Sequence, residues 1–271
     1  MRLKSAGKYL KSYGLGVQNA MAYRTDFWLG LVSGVFPLMI QLFIWNAVYT
    51  AAPGSEVYGY THDQMIAYTI MAIVVGRLIS TGFEYEIAGD IKNGGLNKFI
   101  VQPISYFWYR MMCFYGTKSI QLAAFTLLLL ALLLGFSWQS TLSLSDDRIV
   151  WFGISLLFAL ILNGMIFYLL SLLAFWMTEV WAVFIGFNLL TNIMSGGVFP
   201  LDIFGPAVNR VLQWLPFPYT IYFPVNIWSG KISEAEIGTG LVIQAIWTVV
   251  AALVASSCWR YGIKKYVAVG G

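Results

Sequence analysis

Asn188, Thr191 and Ser195 recur at i, i+3 and i+7 in an otherwise apolar run, with Asn192 beside them. That spacing places amides and hydroxyls on one face of a helix. The chemistry they offer is hydrogen bonding. Polar groups at membrane depth face protein or water, because hydrocarbon penalises them. Two uses fit the stripe: lining a pathway, and interhelical hydrogen bonding at a packing seam.

Groups for covalent, redox or metal chemistry are scarce. His62 is the single histidine, next to Asp63 in a short loop, and one histidine without a neighbouring ligand builds no metal site. Cys113 and Cys258 are the two cysteines; both fall on the side where thiols stay reduced, and packing is their default role. No GxxxxGK[ST] segment cradles nucleotide phosphates, and Gly14-Leu15-Gly16 lacks the strand and third glycine of a dinucleotide site. Neither a GxSxG elbow nor an HExxH helix occurs. No residue is expected to be catalytic, cofactor-binding or metal-ligating.

A second cluster of interest is EYEIAGDIKNGGLNKFIVQPISYFWYR. Here Glu84, Glu86, Asp90, Lys92 and Lys98 alternate with Ile87, Ile91, Leu96, Phe99 and Ile100. Ile87 and Ile91 share one helical face, and Leu96, Phe99 and Ile100 form a second apolar stripe. Asn93-Gly94-Gly95 breaks the chain between them, and Pro103 closes the segment. An apolar stripe with charged edges suits docking into a partner's groove; a solvated connecting loop fits equally.

The elements that must position these residues follow from composition. The chain has 271 residues, 59% hydrophobic and only 10% charged, with mean hydropathy +0.73. A soluble domain carries roughly 25% charged residues, and disorder needs low hydrophobicity and high charge. Both are excluded, and two cysteines build no disulfide scaffold. What remains is an all-α polytopic membrane protein. A hydrocarbon core of ~30 Å needs roughly 20 apolar residues, and the sequence offers six such runs: 27–50, 64–83, 119–136, 149–177, 180–200 and 237–259. With the N-terminus inside, inner segments hold twelve Lys and Arg residues and outer loops hold three, Arg148, Arg210 and Lys231, while Arg77 lies within a span. Positive charge stays cytoplasmic, so both termini are expected there, in the cell's inner membrane. The formal charge of +4 is this bias and not a nucleic-acid footprint.

Residues 1–26 show no apolar h-region, so a cleavable signal peptide is not expected. Tyr9, Leu10, Tyr13, Val17, Ala20 and Met21 recur at helical spacing while Lys4, Lys8 and Lys11 fall elsewhere. That pattern suits a helix lying in the membrane interface, or a solvated basic tail. Residues 27–271 are expected to form one six-span domain. Past the fifth run, Pro200, Pro206, Pro216, Pro218 and Pro224 place five of eight prolines within 25 residues. Irregular backbone at membrane depth survives only when buried in protein or facing water. The expectation is an outer re-entrant helical hairpin before the last span, with a plain outer loop as the alternative.

The pattern from Glu86 to Pro103, EIxxDIxxGxLxxFxxxP, resembles the cytoplasmic loop of exporter-class (type-2) ABC transporter permeases. The SGGxFPxDxF and LPxPxxxxxP runs, Ser195 to Pro224, are similar to that family's outer region. By span order the chain most resembles the six-span branch that includes viologen and drug exporter permeases. The resemblance implies a permease subunit of an ATP-driven exporter, paired with a second copy or a paralogue. It also implies a cytoplasmic ABC ATPase subunit, which binds ATP and Mg and hydrolyses the ATP. Carried over by position, Glu84, Glu86, Ile87, Asp90, Ile91, Leu96 and Phe99 belong to the coupling helix, and the N-terminal helix becomes a connecting helix. Spans two and five line the pathway, making Asn188, Thr191, Asn192 and Ser195 its candidate residues. The cargo expected is hydrophobic or amphipathic, moved by alternating access. The competing reading is a non-transporting membrane scaffold or lipid-modifying enzyme, for which Asp202, Arg210, Glu234 and Glu236 offer the ionisable groups.

Overall fold

The structure, a computed structural model, describes residues 2–22, 24–51, 56–135 and 146–266, and side chains within these except at 2–6, 24–28, 30–34, 125–135 and 146. Phe136, where the third expected span ends, lies outside the described residues. Among the described residues eleven α-helices follow one another: α1 Arg2–Ala22, α2 Arg24–Ala51, α3 His62–Ile79, α4 Phe83–Lys92, α5 Asn97–Ile100, α6 Tyr106–Gly135, α7 Asp146–Ser171, α8 Trp181–Met194, α9 Gly205–Leu212, α10 Tyr222–Trp228 and α11 Glu234–Gly262. Among the described residues there is no strand, only an isolated bridge between Val57 and Tyr60.

The all-helical, apolar architecture is what a bilayer demands, since a helix satisfies its own backbone. Among the described residues three stretches are long and apolar enough to cross, His62–Lys92, Asp147–Phe175 and Glu234–Gly262, with shorter apolar helices at Val35–Ala51 and Trp181–Met194. Two long helices start on capping boxes. Thr61 Oγ1 accepts from the Gln64 amide at 3.3 Å while Gln64 Oε1 accepts from the Thr61 amide at 3.0 Å, opening α3. Ser233 and Glu236 do the same for α11. Such boxes satisfy otherwise orphaned N–H groups.

The second expected span, 64–83, is interrupted near its end. α3 stops at Ile79, Ser80–Gly82 are not helical, and α4 begins only at Phe83. The freed carbonyls at the break are met from neighbouring helices: Asn163 Nδ2 donates to Ile79 O at 2.8 Å, and Lys118 Nζ to Arg77 O at 3.3 Å and Ser80 Oγ at 3.2 Å. The fifth expected span is also cut short. α8 has 14 residues, about 21 Å at 1.5 Å each, against a hydrocarbon thickness of ~30 Å. Its end is a Schellman turn, with Gly197 N–H on Asn192 O at 2.9 Å and Gly196 N–H on Ile193 O at 3.2 Å. Gly196 sits at φ +81°, where an L side chain is strained.

α7 is the axis of the molecule. It packs on α3, α4, α10 and α11, and its buried residues include Leu162, Met165, Ile166, Phe167 and Tyr168. One apolar core joins α4, α6, α7 and α11 around Ile87, Met111, Leu162 and Leu172. A second joins α3 and α10 around Met65, Tyr68, Val75 and Val225. α1 lies along α6 at very close range. Gly16 faces the Cys113 carbonyl and Gly116 faces that of Tyr13, so a Cβ at either glycine collides with backbone. Thr117 Oγ1 donates to Gly16 O at 3.1 Å and Tyr13 Oη to Ser119 Oγ at 2.7 Å. Small residues admit such a crossing. Of the expected α1 stripe, Tyr9, Tyr13, Val17 and Ala20 are half-buried, whereas Leu10 and Met21 are exposed; Ser12 and Gly16 form the buried seam.

Candidate transport cavity

A cavity of about 480 Å³ opens between α2, α3, α7 and α8. Asn188, Thr191, Asn192 and Ser195 all line it, so the helical stripe is gathered on one wall. Thr191 and Ser195 are buried while Asn188 and Asn192 are exposed. Ser195 Oγ donates to Asn192 O at 3.1 Å. The Thr191 hydroxyl, in a residue only 6% exposed, has no hydrogen-bond partner. Ser195 O accepts from the Tyr222 amide at 2.8 Å, which tethers the end of α8 to α10.

The opposite walls bring residues that the stripe alone does not disclose. α2 contributes Gln41, one turn after Pro37; α3 contributes Gly76, Arg77 and Ser80; α7 contributes Asn163 and Phe167. Gln41 and Asn163 are amides standing alone among apolar neighbours in long apolar runs. That solitude is the sequence signal for them, since a lone amide at membrane depth implies a neighbour or water.

Two clusters of polar contacts lie outside the cavity lining. In the first, Asp202 gathers three donors: Tyr60 Oη at 2.9 Å, Tyr222 Oη at 3.0 Å and Lys231 Nζ at 2.7 Å. Lys231 also sits over the Tyr60 ring, 3.5 Å from its centroid. Burial pushes the Tyr60 hydroxyl well above its usual range, helped by Tyr222 and Asp202, so it stays a donor. Burial likewise draws the Lys231 ammonium down, against the pull of Asp202. This cluster ties the turn after α2 to the segment following α8.

The second is the α4–α5 segment. Arg110 on α6 forks onto Glu86 and Asp90, and Asp90 accepts from Tyr106 Oη at 2.7 Å. The guanidinium thus holds two carboxylates one helical turn apart, each through its own nitrogen, in charge-assisted contacts. Tyr106 stacks on Trp259 at 5.5 Å, Tyr266 Oη donates to Asn97 Oδ1 at 2.9 Å, and Lys92 Nζ donates to Thr178 O. Tyr85 packs against Trp181 at 5.1 Å and Phe184 at 5.2 Å, so α4 touches the start of α8 directly.

The two faces of this segment divide differently from the sequence pattern. α4 ends at Lys92 and Gly94 takes φ +77°, so the Asn-Gly-Gly break is present. Ile87, Ile91 and Leu96, however, are buried in this chain's own core, and Glu84 is buried with Oε2 unpartnered. α4 packs on α7 and on the turn after it, and Ile87, Ile91 and Leu96 share one apolar cluster with residues of α7. Phe99 is half-buried against Tyr106. What stays outside is Glu86, Lys98, Ile100 and Val101, the last two 59% and 82% exposed. His62 packs edge-on against Tyr49 at 5.1 Å, and Cys113 donates through Sγ to Ser12 O at 3.3 Å.

A sequence profile described as "ABC-2 family transporter protein" matches residues 35–270. No curated protein and no solved structure matches the chain. The profile covers most of the polypeptide, so the chain belongs to the ABC-2 transporter family. Membership makes it a multi-pass membrane component of an ABC transporter, of the kind that associates with an ABC ATPase subunit.

Proposed function

We propose that this ABC-2 family member is the permease subunit of an ATP-driven exporter, with ATP and Mg held by a separate cytoplasmic ATPase. The chain carries six spans, lies in the inner membrane with both termini cytoplasmic, and moves a hydrophobic or amphipathic cargo by alternating access. The observation that supports this best is the cavity itself. A polar stripe on a short helix faces open space, and that helix is contacted by a surface-exposed segment through Tyr85.

The working cycle follows from those contacts. The ATPase docks on the exposed α5 tip, where Ile100 and Val101 supply apolar surface. Its closure moves α4, which the Arg110 fork holds as one body with the start of α6. Motion of α4 reaches α8 through Tyr85 and Phe184, and α3 through the Ser80–Gly82 break. Both cavity walls then shift against α7, a hinge-type transition between two packed states. The Asp202 cluster closes the outer end until that shift separates its donors.

A second copy or a paralogue completes the conduit. On α8, Trp181, Ile185 and Leu189 are exposed along the same flank as Asn188 and Asn192. Two amides turned to lipid are costly, whereas an apposed permease covers them. The lipid-enzyme reading has less support, since Asp202 is engaged by Tyr60, Tyr222 and Lys231. The test is hydrolysis. Purified alone, the chain leaves ATP intact; purified with its ATPase, the complex hydrolyses ATP and is accelerated by cargo. Turnover by the chain alone overturns the proposal.

A further inference from the structure

We infer that the Ser80–Gly82 step is a two-position elbow in which Lys118 exchanges partners: Ser80 Oγ and the Arg77 carbonyl in the position seen, the Glu84 carboxylate in the other. This rests on the permease reading and names the switch between its lever, α4, and its cavity wall, α3. A helix end leaves carbonyls without an intrahelical partner. Two of these are met by buried side chains of other helices. Asn163 on α7 donates to Ile79 O at 2.8 Å and so fixes the end of α3. Lys118 on α6, 7% exposed, donates to Arg77 O at 3.3 Å, Ser80 Oγ at 3.2 Å and Gln121 Oε1 at 2.9 Å. An ammonium has three N–H donors, and all three are engaged.

Beyond the step, Glu84 is only 2% exposed. Its carboxylate accepts from Thr81 and the Gly82 amide, yet Oε2 has no hydrogen-bond partner among the described residues. A buried polar atom left in this way is costly, and more so when it carries charge. Glu84 attracts Lys118 across the step, whereas Arg77 repels it. The exchange orphans nothing at the end of α3. Ser80 Oγ itself donates to Arg77 O at 2.8 Å, so that carbonyl keeps a donor when Lys118 leaves. Gln121 lies on the same helix as Lys118 and travels with it. A pivot is also present: Phe83, the first residue of α4, packs edge-on against Phe114 of α6 at 5.0 Å, and Lys118 lies over that same ring. Two arrangements of matched hydrogen bonding about one pivot make the elbow bistable, as hinge transitions require.

Double electron–electron resonance on the full chain in nanodiscs reads the elbow without ATP or an ATPase. A failure here therefore leaves the permease reading to its own hydrolysis assay. Nitroxides are placed on Ile100→Cys of α5 and Val150→Cys of α7, both exposed, in a chain carrying Cys113→Ser and Cys258→Ser. Dilution with unlabelled chain leaves only distances within one molecule. Two distances are expected. Glu84→Gln removes the charge that receives Lys118 and is expected to deplete the second distance about tenfold, on the scale of a hydrogen bond to a charged group. Ser80→Ala removes a contact of the position seen and is expected to enrich the second distance about threefold, on the scale of one ordinary hydrogen bond. General loosening moves both variants the same way, whereas partner exchange moves them in opposite directions. In Lys118→Met protein, Glu84→Gln is expected to produce no further change. A single distance that Ser80→Ala leaves unaltered, shifts of the same sign from the two variants, or a full Glu84→Gln effect in folded Lys118→Met protein overturns the inference.

Discussion

A buried hydroxyl without a partner is an expense that a fold avoids, so Thr191 is the residue most diagnostic of a ligand. Replacing it with valine keeps the shape and removes the orphaned group. Thr191→Val is therefore expected to leave the melting temperature equal or slightly higher while lowering cargo-stimulated turnover severalfold. Asp202 is the opposite kind of residue. It satisfies three donors at once, so Asp202→Asn strips the charge from all three contacts. About 2 kcal/mol of stability is expected to go, on the scale of hydrogen bonds to charged groups, read as a lower melting temperature in nanodiscs. The α8 stripe was legible in sequence because four polar residues repeat with the helical period inside an apolar run. The gathering of Gln41, Arg77 and Asn163 opposite that stripe was not, because the three lie on separate helices. Their convergence is a product of packing between α2, α3 and α7, which no local pattern encodes.

The informative element is α4. Its period announces a helix with an apolar face, yet periodicity does not say what that face meets. The structure turns Ile87 and Ile91 inward against α7, leaving α5 and the turn after it as the outer surface. Two substitutions separate holding from transmitting. Ile100→Asp with Val101→Asp is expected to abolish co-purification of the ATPase while leaving the fold intact, since both residues are exposed. Tyr85→Ala is expected to keep the ATPase bound but to cut cargo-stimulated hydrolysis severalfold, because the α4–α8 contact is lost. Breaks at Ser80–Gly82 and Gly196–Gly197 were unevenly legible. The paired glycines before Pro200 mark the second, whereas the first is a Ser-Thr-Gly step, before which the Ile79 and Arg77 carbonyls accept from Asn163 and Lys118 of other helices. α1 shows the same limit: its spacing announces a helix, but the Gly16–Gly116 crossing that seats it on α6 is tertiary. Gly116→Leu is expected to cost about 1–3 kcal/mol by overpacking that seam, again read as melting temperature.

At the scale of the whole molecule, composition alone reached the class, since a 10% charged chain of this hydropathy has no soluble surface. It does not reach the arrangement in which α2, α3, α7 and α8 wall a polar cavity while Asp202 gathers three donors elsewhere. On the proposed reading that cavity is one half of a conduit driven by a separate ATPase. The most direct measurement is photo-crosslinking from a benzoylphenylalanine placed at Val101 in intact membranes, with the product identified by mass spectrometry. The account predicts a single adduct to a nucleotide-binding ABC subunit, formed from Val101 and absent when the probe is moved to Tyr58. Adducts only to proteins without a nucleotide-binding motif, or reaction of a Val101→Cys chain with an impermeant maleimide added outside the cell, contradict it.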